Sequence, residues 1–379
     1  MLVFIGFICI LLLVVAHEAG HFFAARRNGI EVEEFGIGFP PRAKVLTKKN
    51  GTEYTLNWLP LGGFVKLKGE HDSDTTPGSF GAARLRDKIK VMVAGVVVNF
   101  LIAYLLFTMI ALIGIPRLVD NQFTVVNDTT IARQDVLAGF IEPESPGDKA
   151  GLRTNDVIVS LQQTSNCTDC RTFVLTESSQ LAEATSALAG EEVSLIVNRL
   201  GEANQLVLQT VLLDEETVRA SREAGEPKGY LGVVPTDFVV QRSTWSAPIV
   251  GAGVTAQFTE LTFKGLARIV TGLVRGDTQA ATEQVSGVVG VGFIFSSASF
   301  LGPIFMLMIV AVISLSLAIM NILPIPALDG GRLFVTLLYR LRRKELTKEV
   351  EERIHGTGFA LLMVLFVLIT IVDVQRFIL

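Results

Sequence analysis

Charge is scarce in this 379-residue chain. Only 18% of its residues are Asp, Glu, Lys or Arg, half are hydrophobic, and the mean hydropathy is +0.49. Soluble domains carry about 25% charged residues, so the composition excludes an ordinary soluble enzyme and indicates a polytopic membrane protein. Cysteine is scarce too, with three in the chain, which excludes a scaffold built on disulfides. Cys9 reads as a small apolar residue. Cys167 and Cys170 form a CTDC, open to a local loop disulfide or to two free thiols, and too few for a metal site. A further absence concerns the first apolar run, residues 2–25. No Lys or Arg precedes it, no small-x-small cleavage pattern follows it, and Arg26-Arg27 lie behind it. A secretory signal peptide has the opposite polarity, so the run is expected to be retained as a membrane span.

What is present is apolar length. Residues 91–115, 303–324 and 358–371 with their flanks can each cross a hydrocarbon core about 30 Å thick. Basic residues concentrate between the first two spans and, as Arg340, Arg342, Arg343, Lys344, Lys348 and Arg353, between the last two. The segment from 116 to about 237 is acidic. The positive-inside rule then places both termini and the acidic segment outside the cytoplasm. The expected fold is a polytopic α-helical membrane protein of four transmembrane helices, with a membrane-associated β-loop region and an inserted extracytoplasmic α+β domain. The expected divisions are 1–27 for the first span, 28–90 for the β-loop region and 91–115 for the second span. The exported domain takes 116–240 and an amphipathic connecting segment 241–302. The third span is 303–326, ending in the LDG motif, the stretch 327–356 the LDG end and a cytoplasmic loop, and 357–379 the fourth span.

The β-loop region rests on turn chemistry. FGIGFPPRA (35–43) has glycines for unusual backbone angles and a Pro40-Pro41 pair that forbids helix, and EYTLNWLPLGGFVKLKG follows with strand-like runs about Leu61-Gly62-Gly63. Its apolar content exceeds that of a cytoplasmic loop, so it is expected to dip into the bilayer, where protein or water must satisfy its backbone. In the exported segment short β-branched strands alternate with turns and one small helix at 147–151. Residues 247–274 read as an amphipathic stretch on the membrane surface.

The chemistry lies in HEAGH, residues 17–21. On a helix, His17 and His21 share a face and can reach one tetrahedral Zn²⁺, while Glu18, one step round, can take a proton from water. The bland alternative is a satisfied pair of buried histidines, but an ionisable cluster in an apolar span is a functional site by default. A zinc site needs a third protein ligand. His71 and His355, the other two histidines, fall in expected loops and look solvated. Asp329 in NILPIPALDGGRLF (321–334) is the better candidate, because Pro324, Pro326, Gly330 and Gly331 break an apolar span around one carboxylate. Against it stands Asp329 as a mere helix-terminus residue at the interface.

HEAGH together with NILPIPALDGG resembles the site-2 protease family of intramembrane zinc metalloproteases, the bacterial regulator-of-sigma-E protease type above all. FGIGFPP, LPLGGFVKLKGE, MVAGVVVNF (92–100) and VSGVVGVG (285–292) resemble family segments in order, and SPGDKAGLRTNDVIVSL resembles part of a PDZ domain. The resemblance implies His17, His21 and Asp329 as Zn²⁺ ligands, Glu18 as general base, and Asn321 as a residue that positions the substrate backbone or its oxyanion. It makes Leu61, Gly62, Gly63 and Phe64 the element that receives the substrate as an added strand, with Pro324 and Pro326 beside it in substrate binding. The implied partners are the transmembrane helix of a pre-trimmed single-span protein, the lipid bilayer and a peptide C-terminus at the PDZ-like domain. No nucleic acid is expected. The implied location is a bacterial inner membrane. The chain departs from the family where Val96 follows Gly95 and Val288 follows Gly287, positions commonly held by proline. It also has room for one PDZ-like domain where the sigma-E type usually has two. Leu137–Phe140 and Tyr230–Val233 loosely resemble carboxylate-binding loops, and a purely steric filter is the equal alternative.

Two other functions compete. A non-catalytic client-binding protein on the same fold would be expected to lose one of His17, Glu18, His21 or Asp329, and all four are present. A zinc transporter would need ligands along a path rather than one cluster with a base.

Overall fold

Apolar runs free of interior proline become helices, and the prolines and paired glycines mark where they stop. The computed structural model describes residues 2–119, 121–165, 170–199, 202, 204–276, 287–298 and 302–377. The chain opens with α1 (Leu2–Arg27), β1 (Val32–Lys49), β2 (Thr52–Leu67) and α2 (Leu85–Ile113). Then come β3 (Ile115–Pro116), β4 (Thr130–Ile141), α3 (Pro146–Lys149), β5 (Val157–Gln163), β6 (Thr172–Val174) and α4 (Ser178–Ala187). They are followed by β7 (Glu192–Asn198), β8 (Leu206–Val211), α5 (Glu215–Glu223) and β9 (Val233–Arg242). The last elements are α6 (Ala247–Arg275), α7 (Val288–Ala298), α8 (Pro303–Ile322), α9 (Asp329–Leu341) and α10 (Lys348–Phe377). The chain divides into two compact units, Met1–Ala111 with Trp245–Leu379, and Leu112–Thr244.

In the first unit α1, α2, α8 and α10 are long and apolar enough to cross a membrane. The shortest, α8, has 20 residues and so reaches about 30 Å, one hydrocarbon thickness. Two helix limits differ from those expected. The third span stops at Ile322, because Pro324 and Pro326 have no N–H to continue the ladder, and Leu323 closes the helix by donating to the Met320 carbonyl. The stretch 327–356 is not a loop: it holds all of α9 and the first two turns of α10. The described residues of segment 241–302 are largely helical, and VSGVVGVG (285–292) falls only partly within the described residues. The first half of α6 packs against the end of α2. The Phe258 and Phe107 rings stack 5.6 Å apart, and a Cβ on Gly251 would lie 2.9 Å from the Thr108 nitrogen.

The β1 and β2 strands fold back on themselves. Residues Glu34 to Ile37 face Lys66 to Gly63 on one side and Glu53 to Leu56 on the other, while Arg42 to Lys49 face Asn57 to Thr52. The outcome is a small sheet in which the 63–67 strand, partnered only by 32–37 among the described pairings, is an edge. Gly38, with φ of +81°, takes a backbone angle at the first reversal that a side chain disfavours. Phe22 and Ala25 of α1, Val32 and Leu67 of the sheet, Phe80, and Val91 and Met92 of α2 form one buried cluster. Each large side chain so buried contributes about 1.5–3 kcal/mol, which fixes the sheet against α1.

The second unit is built on one sheet of order β3-β9-β4-β5-β7-β8, with β6 on β5. Alternation puts Val136, Ala138, Ile158, Leu161, Val193, Leu195 and Val197 on its inner face with Leu181, Ala184 and Leu188 of α4 and its cap. Ser145 caps α3 and Asp214 caps α5, and the bonds from Thr217 hold the Asp214 carboxyl below the usual carboxylate range. Within the unit Arg199 makes a two-pronged bond to the buried Asp156, at 2.9 and 2.7 Å. The small helix expected at 147–151 is α3, a single turn at Pro146–Lys149. Leu137–Phe140 is no open loop. It lies inside β4, paired to β9 along its length and to β5 at Leu137, and Ala138 bonds through both backbone groups to the 155–156 turn. Cys170 is disulfide-bonded and Cys9 is free; Cys167 lies outside the described residues.

Candidate active site

α1 carries His17 and His21 one turn apart, so both rings leave the helix on one side. Both residues are buried, and their Nε2 atoms lie 3.1 Å from each other. Asp329 Oδ2 lies 3.0 Å from His17 Nε2 and 3.1 Å from His21 Nε2, closing a triangle across more than three hundred residues of chain. Among the described residues this is the one group of three or more His, Cys, Asp or Glu side chains with metal-binding spacing. Ligand atoms about 2.0–2.1 Å from a tetrahedral ion stand about 3.4 Å apart, close to the separations seen. Two imidazole nitrogens and a carboxylate oxygen aimed at one point are the donor set that Zn²⁺ takes.

The far sides of the rings are also committed. His21 Nδ1 donates to the Val91 carbonyl at 2.7 Å, which leaves Nε2 without a proton and with its lone pair toward the triangle. Behind His17 lies Asn99 of α2, its amide nitrogen 3.4 Å from His17 Nδ1 and its oxygen buried without a partner. With the amide turned so that the oxygen faces the ring, an Nδ1–H bond forms and the orphan oxygen is satisfied. Gly95, one turn before Asn99, lets α2 pass directly over both rings. A Cβ there would lie 2.5 Å from His21 Nε2 and 2.6 Å from His17 Nε2. Gly95→Ala is therefore expected to push the imidazoles off their common point. A displacement of about 1 Å costs on the order of 10²-fold in rate, which an assay of the variant beside its zinc content would read.

Asp329 is delivered by a loop rather than by a span. After Ile322 the chain turns through Leu323–Leu328, with Ala327 at φ +79°, and restarts as α9 with Asp329 its first residue. A carboxylate in the first turn is favoured by the positive helix terminus. Gly330 and Gly331 are required by close approach, because a Cβ on either would overlap the backbone of Ile322 or Ile325.

Glu18 points toward the edge strand. A Cβ on Gly63 would lie 3.5 Å from Glu18 Cγ, and the Glu18 carboxylate is within hydrogen-bonding reach of the Val65 backbone. Leu61, Gly62, Gly63 and Phe64 thus lie on a strand rather than in a loop. Gly62 adopts φ +102° beside Val14 and Phe39, and Phe64 pairs with Gly36. Asn321 donates its amide N–H to the Leu317 carbonyl in its own helix, and no described contact joins it to the triangle. Pro324 is exposed, and Pro326 is half-buried beneath Gly358 of α10. His71 lies in the connection after β2, as expected, but half-buried, and His355 is not in a loop. His355 is half-buried in α10 and accepts the Ala327 N–H, and His71 lies 3.8 and 3.5 Å from the carboxylates of Glu351 and Glu352. With Asp329 and Arg332 they line a cavity of about 410 Å³. Sequence reasoning missed Asn99, although a lone amide in an otherwise apolar run was a signal. It missed Gly95 because a close approach leaves no trace in spacing.

Set against known proteins, the chain matches peptidase family M50 over residues 5–365. A candidate zinc metalloprotease of Clostridium perfringens is 31% identical over 366 residues, which cover 96% of this chain and 95% of the relative. Zinc metalloprotease RasP of Geobacillus kaustophilus is 26% identical over 445 residues, 96% of each chain. The regulator of sigma-E protease RseP of Salmonella typhimurium is 26% identical over 455 residues, again 96% of each. These last two alignments run longer than 379 residues, so both relatives contain inserted chain that this protein lacks.

Proposed function

This chain belongs to peptidase family M50, and from that premise we propose that it hydrolyses peptide bonds within transmembrane segments, with His17, His21 and Asp329 holding Zn²⁺ and Glu18 acting as general base. It is a zinc metalloendopeptidase and a multi-pass membrane protein. The observation that carries the assignment is the triangle of donor atoms at 3.0–3.1 Å that the buried His17 and His21 form with Asp329, with the Glu18 carboxyl beside it.

Zn²⁺ held by His17, His21 and Asp329 would supply Lewis acidity there. Glu18 takes the proton from the attacking water and returns it to the departing amine. Asn99 and the Val91 carbonyl hold the two imidazoles in the tautomer that presents Nε2. The 63–67 edge of β2 gives the substrate a place to unfold into. A transmembrane helix hides its peptide bonds in its own hydrogen bonds, and an open edge beside Glu18 re-satisfies the groups freed on unwinding. Asn321, Pro324 and Pro326 border the loop that delivers Asp329 and are assigned to substrate positioning.

The substrates fitting this arrangement are single spans already shortened by another protease, since a large flanking domain would obstruct the edge. The second unit is assigned as one PDZ-like domain outside the cytoplasm, binding a peptide C-terminus near Tyr230–Val233 or excluding bulky substrates. The location is the inner membrane of a bacterium, with both termini on the extracytoplasmic side. The assignment of the third ligand is tested by Asp329→Ala: metal analysis of the purified protein is expected to show zinc lost, and undiminished zinc would remove Asp329 from the site.

A further inference from the structure

Asp329 has no covalent reason to stay where it is. It follows a loop containing two prolines and a left-handed alanine, and opens α9 as its first residue. What holds that loop is one face of the last helix. Glu351, His355 and Gly358 stand at i, i+4 and i+7 of α10, and so share a side. His355 Nδ1 accepts the Ala327 N–H at 3.1 Å, two residues before Asp329. Ala327 sits at φ +79°, a conformation that a non-glycine residue keeps only where its surroundings enforce it. Gly358 lets α10 come down onto Pro326, where a Cβ would lie 2.6 Å from the Pro326 carbonyl oxygen.

On the other side of Asp329 the grip passes through Arg332, one turn along α9. Its Nε lies 3.6 Å from Glu351 Oε1, and its Nη2 donates to the Glu70 carbonyl at 3.2 Å. The Glu351 side chain is only 3% exposed, and its second oxygen accepts the Asp72 N–H at 3.0 Å. A carboxylate so deeply placed is costly unless its bonds do something. Residues 70–72 follow directly on the edge strand, so Glu351 ties α9 to the end of that strand.

We propose that Glu351 and His355 are positioning residues for Asp329: acting through Arg332 and Ala327, which flank it, they fix its carboxylate against His17 and His21 without touching it. The proposal rests on the assignment of those three residues as zinc ligands. Partners that orient a ligand set metal affinity as well as rate, and their loss costs about 10–100-fold. A residue that merely joined two helices would lower thermal stability and leave metal affinity alone.

The test is competition for Zn²⁺ between the full-length protein in detergent and a chromophoric chelator. His355→Ala and Glu351→Ala are each expected to raise the Zn²⁺ dissociation constant about 10–100-fold while the gel-filtration profile stays unchanged. His355→Asn, whose Oδ1 occupies the place of Nδ1 and can accept the Ala327 N–H, is expected to restore most of the affinity, and His355→Leu to restore none. On a cleavage assay the loss should fall on kcat rather than KM. Wild-type zinc affinity in His355→Ala and Glu351→Ala, with affinity lost in Asp329→Ala, overturns the proposal and leaves the ligand assignment standing. Wild-type affinity in Asp329→Ala as well overturns both. If His355→Ala gives no folded protein, the Asn and Leu variants decide, and equal affinity in those two overturns the proposal.

Discussion

Glu18→Gln is expected to hold zinc at the wild-type level and to lose about 10²–10⁴-fold in cleavage, the usual contribution of a positioned general base. Glutamine keeps the shape of the side chain and its packing against the 63–65 stretch, but cannot accept a proton from water. Glu18 lies beside the triangle and outside it, since the three metal-spaced donors are His17, His21 and Asp329. The two properties should therefore separate. Cleavage is read on a purified single-span reporter in detergent and zinc by elemental analysis of the same preparation. A variant that cleaves at the wild-type rate would remove Glu18 from the chemistry. One that loses zinc would make it a ligand.

The second large effect is expected at Gly63. The strand it occupies is the sheet edge that faces Glu18, and a Cβ on Gly63 would already lie 3.1 Å from the Gly36 carbonyl and 3.5 Å from Glu18 Cγ. Gly63→Leu extends that side chain into the space between the edge and the carboxylate, where an unwound substrate strand would run. On the proposed reading, pairing at the edge compensates the unwound backbone. Cleavage should fall by on the order of 10²-fold or more, as for other displacements of bound geometry, with zinc content unchanged. Uncut reporter should also cross-link less to residues 61–64 in this variant. Wild-type cleavage by Gly63→Leu would take the edge strand out of substrate recognition.

The site was readable where it is local. His17, Glu18 and His21 lie within five residues on one helix, and helical periodicity alone puts the two imidazoles together. Asp329 was readable by its cost, a carboxylate between two prolines and two glycines in an apolar stretch. That it begins a new helix was not readable, because the sequence marks where a helix must break but not where the chain resumes. The fold of residues 32–67 was hidden for a similar reason. Glycines and Pro40-Pro41 announce turns, yet which strand becomes the edge beside Glu18 is decided by packing of Phe22, Val32, Leu67 and Phe80 far apart in the chain. His355 looked like a loop residue because its role depends on Ala327, 28 positions away. Contacts of that range have no period to detect.

On the proposed reading, the site of His17, His21 and Asp329 cuts a peptide bond inside an apolar segment. Mass spectrometry of the fragments from a purified single-span reporter tests it most directly, with the enzyme untreated, stripped by chelator, and stripped then resupplied with Zn²⁺. The expected result is a cut between residues of the reporter's apolar segment, abolished by the chelator and restored by zinc. A cut confined to the reporter's soluble flanks, or one that persists after chelation, would contradict it.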